Sequence, residues 1–183
     1  MIDLARSPKG RQTMADVKTI IEPFDEAGDA AFRVTASSLP EVFTGCGLAL
    51  SNLILPQGET GGVRTPGLGA PATRWMRLTA PDLESLLVDF ANEIIFLFDC
   101  EAFVPFGFEF RELGKTEQAE GAGAGAARLD AEITGIMLTE NALRLATDQC
   151  GILGLVPKAA SYHMIEVAEL ADGRWTARLV LDA

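Results

Sequence analysis

Three groups in this 183-residue chain could hold a hard cation if folding brought them together: the side-chain carboxylates of Asp29 and Asp182 and, should the chain end there, the α-carboxylate of Ala183. Oxygen donors are what Ca²⁺ and Mg²⁺ take. Asp29 stands just before a run in which Ala30, Phe32 and Val34 alternate with Arg33 and Thr35. Asp182 closes another, in which Trp175, Ala177, Leu179 and Leu181 alternate with Arg174, Thr176, Arg178 and Val180. Period-two alternation predicts strands. If the two strands pair antiparallel, the start of one lies beside the end of the other, about 5 Å away across the ladder. Carboxylates that close repel one another unless one is protonated or a cation sits among them. Arg178, the nearest basic residue on the face of Asp182, is roughly 13 Å away along an extended strand, too far to neutralise it. The competing reading is that each carboxylate simply ends its strand in solvent, and the residues alone favour that reading.

Other catalytic signatures are missing. The chain has no G-x-x-x-x-G-K-[ST], G-x-G-x-x-G or G-x-S-x-G motif, which removes the common phosphate loops and the hydrolase elbow. The single histidine, His163, shares strand parity with Ile165 and Val167. Parity predicts a partly buried, hydrogen-bonded imidazole; the alternative is a general base in a metal-assisted hydrolase. Cys46, Cys100 and Cys150 are far apart and odd in number. They predict reduced thiols in a cytoplasmic protein rather than a disulfide framework or a zinc site. With 15 Lys and Arg against 26 Asp and Glu, the net charge is −11. Such a body repels a phosphate backbone, so direct nucleic-acid binding is not expected; a cation or a basic partner surface suits it better.

The elements that must position these groups follow from periodicity. After the first strand, Ser38-Leu39-Pro40-Glu41 predicts a capping box, and Val42, Phe43, Cys46, Leu50, Leu53 and Ile54 keep a 3.6 period until Pro56. Residues 56–72, rich in Gly and Pro, predict a long surface loop, followed by a strand from Arg74 to Thr79. Pro81 is expected to open a second helix with a buried stripe of Leu83, Leu86, Leu87, Phe90, Ile94, Leu97 and Phe98. Asp89, Asn92 and Glu93 interrupt it and exclude a membrane span. Phe106, Phe108 and Phe110 predict a half-buried strand, Gly114 to Ala126 a flexible hairpin tip, and Leu129, Ala131 and Ile133 the return. Ser161 to Glu169 and Arg174 to Asp182 predict a last hairpin around Ala171-Asp172-Gly173. The expected fold is a two-layer α+β domain, two helices on a mainly antiparallel sheet. Residues 1–18 carry Arg6, Lys9 and Arg11 without an apolar segment of the signal-peptide kind, so they read as a flexible extension before a single domain, 19–183.

Two segments carry a resemblance. Lys158-Ala159-Ala160-Ser161-Tyr162-His163, followed by Ile165, Val167, Asp172-Gly173, Trp175 and the terminal Leu181-Asp182-Ala183, closely resembles the C-terminal signature of the archease family. The helix from Asp82 to Asp99, with its Asn92-Glu93 pair and Leu97-Phe98-Asp99 ending, is similar to that family's central helix. The resemblance implies a small, non-enzymatic cytoplasmic activator of the GTP-dependent RNA-splicing ligase. Such a protein promotes guanylylation and turnover of the ligase in tRNA splicing and RNA repair. It implies a metal site at Asp29, Asp182 and Ala183 for a divalent cation, calcium foremost, with magnesium or manganese as alternatives. Lys158 matches the family's functional lysine and His163 its nearby histidine. It further implies a ligase partner, no membrane, and a monomer or weak homo-oligomer. A general chaperone or protein-binding module is the alternative without metal chemistry. The chain departs from the family in two places. The His-Thr-Ala-Asp motif stands here as Glu26-Ala27-Gly28-Asp29, which puts an acidic Glu26 among the partner-facing residues. The approach to Lys158, residues 147–157, lacks the usual Gly-Glu and Arg-His pairs.

Overall fold

The structure, a computed structural model, describes residues 18–22 (backbone only), 30–55, 68–116, 126–140, 142–143 and 156–182. The elements run β1 (Lys18–Glu22), β2 (Ala30–Ala36), α1 (Leu39–Ile54), β3 (Gly69–Ala80), α2 (Leu83–Glu101), β4 (Phe103–Lys115), β5 (Ala127–Leu138), β6 (Ala159–Glu169) and β7 (Trp175–Asp182). The fold class is the expected α+β, two helices against antiparallel strands, with the strands divided between two sheets. One has the order β1-β2-β7-β6, the other β3-β5-β4, and every pairing in both is antiparallel. The expected extension lies outside the described residues except for Lys18, which opens β1. That short strand follows from the β-branched run Thr19-Ile20-Ile21.

Both helices form where their caps and stripes place them. Ser38 caps α1, its hydroxyl accepting from the Glu41 N–H at 3.4 Å. The Glu41 carboxylate reaches back one residue beyond the cap, to the N–H and hydroxyl of Ser37. Helix α2 starts one residue after the expected Pro81, at an Asp82 cap whose carboxylate accepts the Ser85 N–H at 2.7 Å. All seven residues of its predicted stripe are buried. The helix stops at Ala102, a non-glycine residue in the left-handed region (φ 53°), whose N–H closes onto the carbonyls of Leu97 and Phe98. Helix α1 packs on β2 and β7 of one sheet and β4 of the other; α2 packs on β6 and on all three strands of the second sheet. One hydrophobic cluster therefore runs through both sheets.

The Asp82 cap has a pH signature. Its carboxyl is held below the ordinary value, first by the Ser85 backbone N–H and then by its hydroxyl. A carboxyl with a folded value below its unfolded one contributes stability at higher pH, and that contribution disappears as pH falls through the folded value. Asp82→Ala is therefore expected to lower unfolding free energy by about 1 kcal/mol at neutral pH and by progressively less in acid. Urea titrations at several pH values measure this, and a cost that does not shrink in acid counts against it.

Strand boundaries differ from expectation where packing overrides composition. Strand β3 begins at Gly69, inside the stretch expected to be loop, and includes Pro71. Proline is tolerated there because β3 is an edge strand. Strand β4 has register shifts between Pro105 and Gly107 and between Phe110 and Glu112. The first makes Phe106 the unpaired residue and leaves it exposed, while Phe108 and Phe110 turn to the core. Opposite Pro105, Gly135 is required by close approach. A Cβ there would meet the Phe103 ring at 2.4 Å and the Val104 carbonyl oxygen at 2.5 Å. The expected hairpin tip, 114–126, is described at its base, where Thr116 and Ala126 bond; residues 117–125 lie outside the described residues. The last hairpin turns through Leu170–Gly173, with Gly173 at φ 81° and its N–H donating to the Leu170 carbonyl.

Candidate functional site

The register of the first sheet meets the condition on which the carboxylate cluster depended. Strand β2 pairs antiparallel with β7, Ala30 opposite Leu181, so the start of one strand lies at the end of the other. Strand β6 adds a third chain at the same corner. Ala160 pairs with Leu181, Ala159 pairs with Asp182, and the Lys158 N–H donates to the Asp182 carbonyl at 2.8 Å. Asp182 and Lys158 are both exposed, whereas Leu181 and Ala160 beside them are buried. The sheet thus carries its apolar floor to the last residue pair and leaves an acid and a base at the rim.

Asp29, Ala183 and Glu26 lie outside the described residues, so Asp182 is the described member of the expected ligand set. The Arg178 guanidinium donates to the Met164 carbonyl at 3.1 Å. Arg33 of β2 reaches across β7 to Glu166 of β6 at 2.6 Å. That pair is partly exposed and contributes little to stability. The hard-oxygen character of Asp182 suits Ca²⁺, Mg²⁺ or Mn²⁺ and not a thiol-seeking metal. Cys46 is buried in the core, where desolvation pushes its thiol well above the ordinary range, and Cys100 is exposed at the far end of α2.

His163 departs from the parity expectation. It is exposed rather than partly buried because β6 breaks register against β7 between Ser161 and Glu166. Met164 adopts φ 52°, and the His163 N–H bonds the Ser161 hydroxyl at 3.1 Å. Extra residues in one strand re-aim its side chains. Tyr162, His163 and Met164 are all exposed as a result. His163 lies in the stretch of β6 between the Ser161–Val180 and Glu166–Arg178 pairs that has no register partner on β7. A recess of about 620 Å³ at the C-terminal end of α2 is lined by Phe98, Cys100 and Leu143 among others. Another, of about 430 Å³, lies on the second sheet between Trp75, Arg77 and Arg111. Lys158, His163 and Asp182 line neither of the two, and all three are exposed on the surface.

One contact at this corner was not foreseen from sequence. Asn92, half-buried on α2, accepts the Ala160 N–H through its Oδ1 at 2.7 Å. The signal was present as a polar residue inside an apolar helical run and as half of the Asn92-Glu93 pair, but neither points to a backbone partner on β6.

Comparison with known proteins places this geometry. The model of the Archease protein family matches residues 22–183. Protein archease of Methanosarcina acetivorans is 29% identical over 161 residues, covering 88% of this chain and 94% of that one. Protein archease of Pyrococcus abyssi is 28% identical, with coverage of 88% and 96%. The solution structure of protein 1598 from Methanobacterium thermoautotrophicum superposes with a TM-score of 0.60 at 24% identity, covering 92% of this chain and 99% of that one. The crystal structure of an archease, described as a possible chaperone, from Thermotoga maritima gives a TM-score of 0.51 at 16% identity, with coverage of 88% and 96%. These two likenesses concern the fold.

Proposed function

Since the chain belongs to the archease family, we propose that it is an accessory activator of the GTP-dependent RNA-splicing ligase, promoting guanylylation and turnover without ligating RNA itself. The observation that carries this reading is the corner where β2, β7 and β6 meet. There Asp182 and Lys158 share a backbone hydrogen bond, and Ala30, covalently bonded to Asp29, starts its strand opposite Leu181.

In this reading Asp29, Asp182 and, if the chain ends there, the α-carboxylate of Ala183 hold a divalent cation, calcium foremost. When bound, the cation neutralises the carboxylates and supplies a positive centre that attracts phosphate oxygens. Lys158 brings a compact ammonium on a flexible stem to the same rim, suited to a phosphate. The backbone bond of Lys158 to Asp182, just before β6, fixes where the stem starts. Glu26 and His163 are assigned to the partner-facing surface. Presentation on an exposed rim favours a partner that inserts or receives the site over a small-molecule hydrolase.

Guanylylation of the ligase from the same source, followed with labelled GTP, tests the proposal. The wild-type chain is expected to stimulate it, and Lys158→Ala to reduce the stimulated rate by at least about tenfold, the scale of one charge-assisted hydrogen bond. No stimulation by the wild type, or full stimulation by Lys158→Ala, would sink it.

A further inference from the structure

An asparagine in the middle of a helix is a weak helix former and does not pack as an apolar residue would. Asn92 stands in the interior of α2, with Ala91 before it and Ile94 and Ile95 after it in the core. What it contributes must therefore lie in what its amide touches. Its Oδ1 takes the Ala160 N–H at 2.7 Å, across 68 residues of chain.

That bond closes a clamp. Among the described residues, strand β6 is the outer strand of its sheet. On its inner side the Lys158 N–H is held by the Asp182 carbonyl at 2.8 Å. Two residues on, about 7 Å along the strand, the Ala160 N–H is held by the helix. Beyond Ser161 the ladder with β7 is broken as far as Glu166. The start of β6 thus cannot rely on a continuous run of ladder bonds from its own distal half. It is fixed by a short piece of ladder and by Asn92.

We propose that Asn92 is a positioning residue: it holds the first residues of β6 against β7 and so sets where Lys158 stands relative to Asp182. The proposal rests on the reading of Lys158 and Asp182 as the activating site. It gives a role to one half of the Asn-Glu pair that the metal and lysine chemistry leaves without one. A neutral amide is well suited to this role, because its oxygen accepts the strand N–H without adding a charge beside an acidic corner.

The decisive comparison uses the full chain with Asn92→Ala and Asn92→Asp. Alanine favours the helix, so α2 survives without the acceptor; aspartate keeps an acceptor oxygen in nearly the same place. Amide hydrogen exchange read residue by residue by NMR is expected to quicken at Ala160 by about tenfold in Asn92→Ala, the ratio set by loss of one hydrogen bond. Amides of β3, β4 and β5 stay unchanged, and Asn92→Asp restores most of the protection. In the guanylylation assay, Asn92→Ala lowers the maximal stimulation several-fold with little change in the half-saturating concentration. Asn92→Asp recovers most of it. A merely structural role would quicken exchange throughout the core and would not split maximum from half-saturation in this way.

Unchanged exchange at Ala160 in Asn92→Ala overturns the clamp. Faster exchange with undiminished maximal stimulation overturns the positioning role. If the wild-type chain fails to stimulate the ligase, the reading of the site fails, and the positioning role fails with it, while exchange at Ala160 still decides whether the clamp exists.

Discussion

Phe90→Ala is expected to lower the free energy of unfolding by about 3–5 kcal/mol, read as a shift of the urea midpoint with an unchanged slope. The ring is fully buried on α2 and touches aromatics from two other elements: Phe43 of α1 at 5.4 Å, and Phe108 and Phe110 of β4 at 5.5 and 6.3 Å between centroids. Phe43 and Phe110 meet edge to face, and Phe108 and Phe110 lie nearly parallel. Deleting the central ring strips contacts from both helices and from the second sheet together. The surrounding rings are mutually braced and cannot all collapse into the space, so the cavity cost adds to the lost burial. Phe96→Ala, on the same helix but 54% exposed, is the control and should change stability by no more than about 0.5 kcal/mol. A cost below about 1.5 kcal/mol for Phe90→Ala would mean that the aromatic cluster repacks and is not the junction described. Against a total stability of roughly 5–15 kcal/mol, the expected loss leaves the protein close to its folding threshold.

Asp182→Asn is the second change of large effect, and on the proposed metal-site reading it acts on the site while sparing the fold. The side chain is exposed, and the hydrogen bond to Lys158 uses the backbone carbonyl, which the substitution keeps. Thermal stability should therefore be nearly unchanged. The amide carries no charge to offer a hard cation, so affinity for Ca²⁺ or Mn²⁺, measured by calorimetry, is expected to fall at least about 100-fold, the upper range of what loss of an outer-shell partner costs. Stimulation of the ligase should be lost in parallel. Asp172→Asn, in the exposed turn between β6 and β7, removes the same charge away from the corner and should leave affinity intact. Equal affinity in Asp182→Asn and the wild type, or no cation binding by the wild type, would dispose of the metal site.

The contrast between Phe90 and Phe106 explains how far the fold was legible. Phe90 follows the 3.6 period of a single helix, a local pattern that nothing distant can alter, and all its stripe partners are buried as expected. Phe106 follows period two, and one extra residue at Pro105–Gly107 moves it to the other face. His163 fails for the same reason, within the break between Ser161 and Glu166. The division of the strands into two sheets was hidden because partner choice depends on contacts far apart in sequence. At the site, alternation singled out Asp182 and raised the pairing of its strand with β2, which the register bears out. Lys158 emerged from resemblance; Asn92 entered there only as part of a matching pair, and its contact stayed hidden because its partner is a backbone N–H that carries no residue code.

The left-handed residue in β6 bears on how the protein behaves at high concentration. A long flat outer strand invites a second chain to add itself to the sheet, and an interruption that twists the strand removes that opportunity. Met164, at φ 52°, breaks β6 at its middle, with its carbonyl already taken by Arg178. The Ala160 N–H is taken by a helix. Two short segments flank the break in place of one long flat edge. The feature that turns Tyr162 and His163 outward thus also blunts this one outer edge of the first sheet against addition of a second chain.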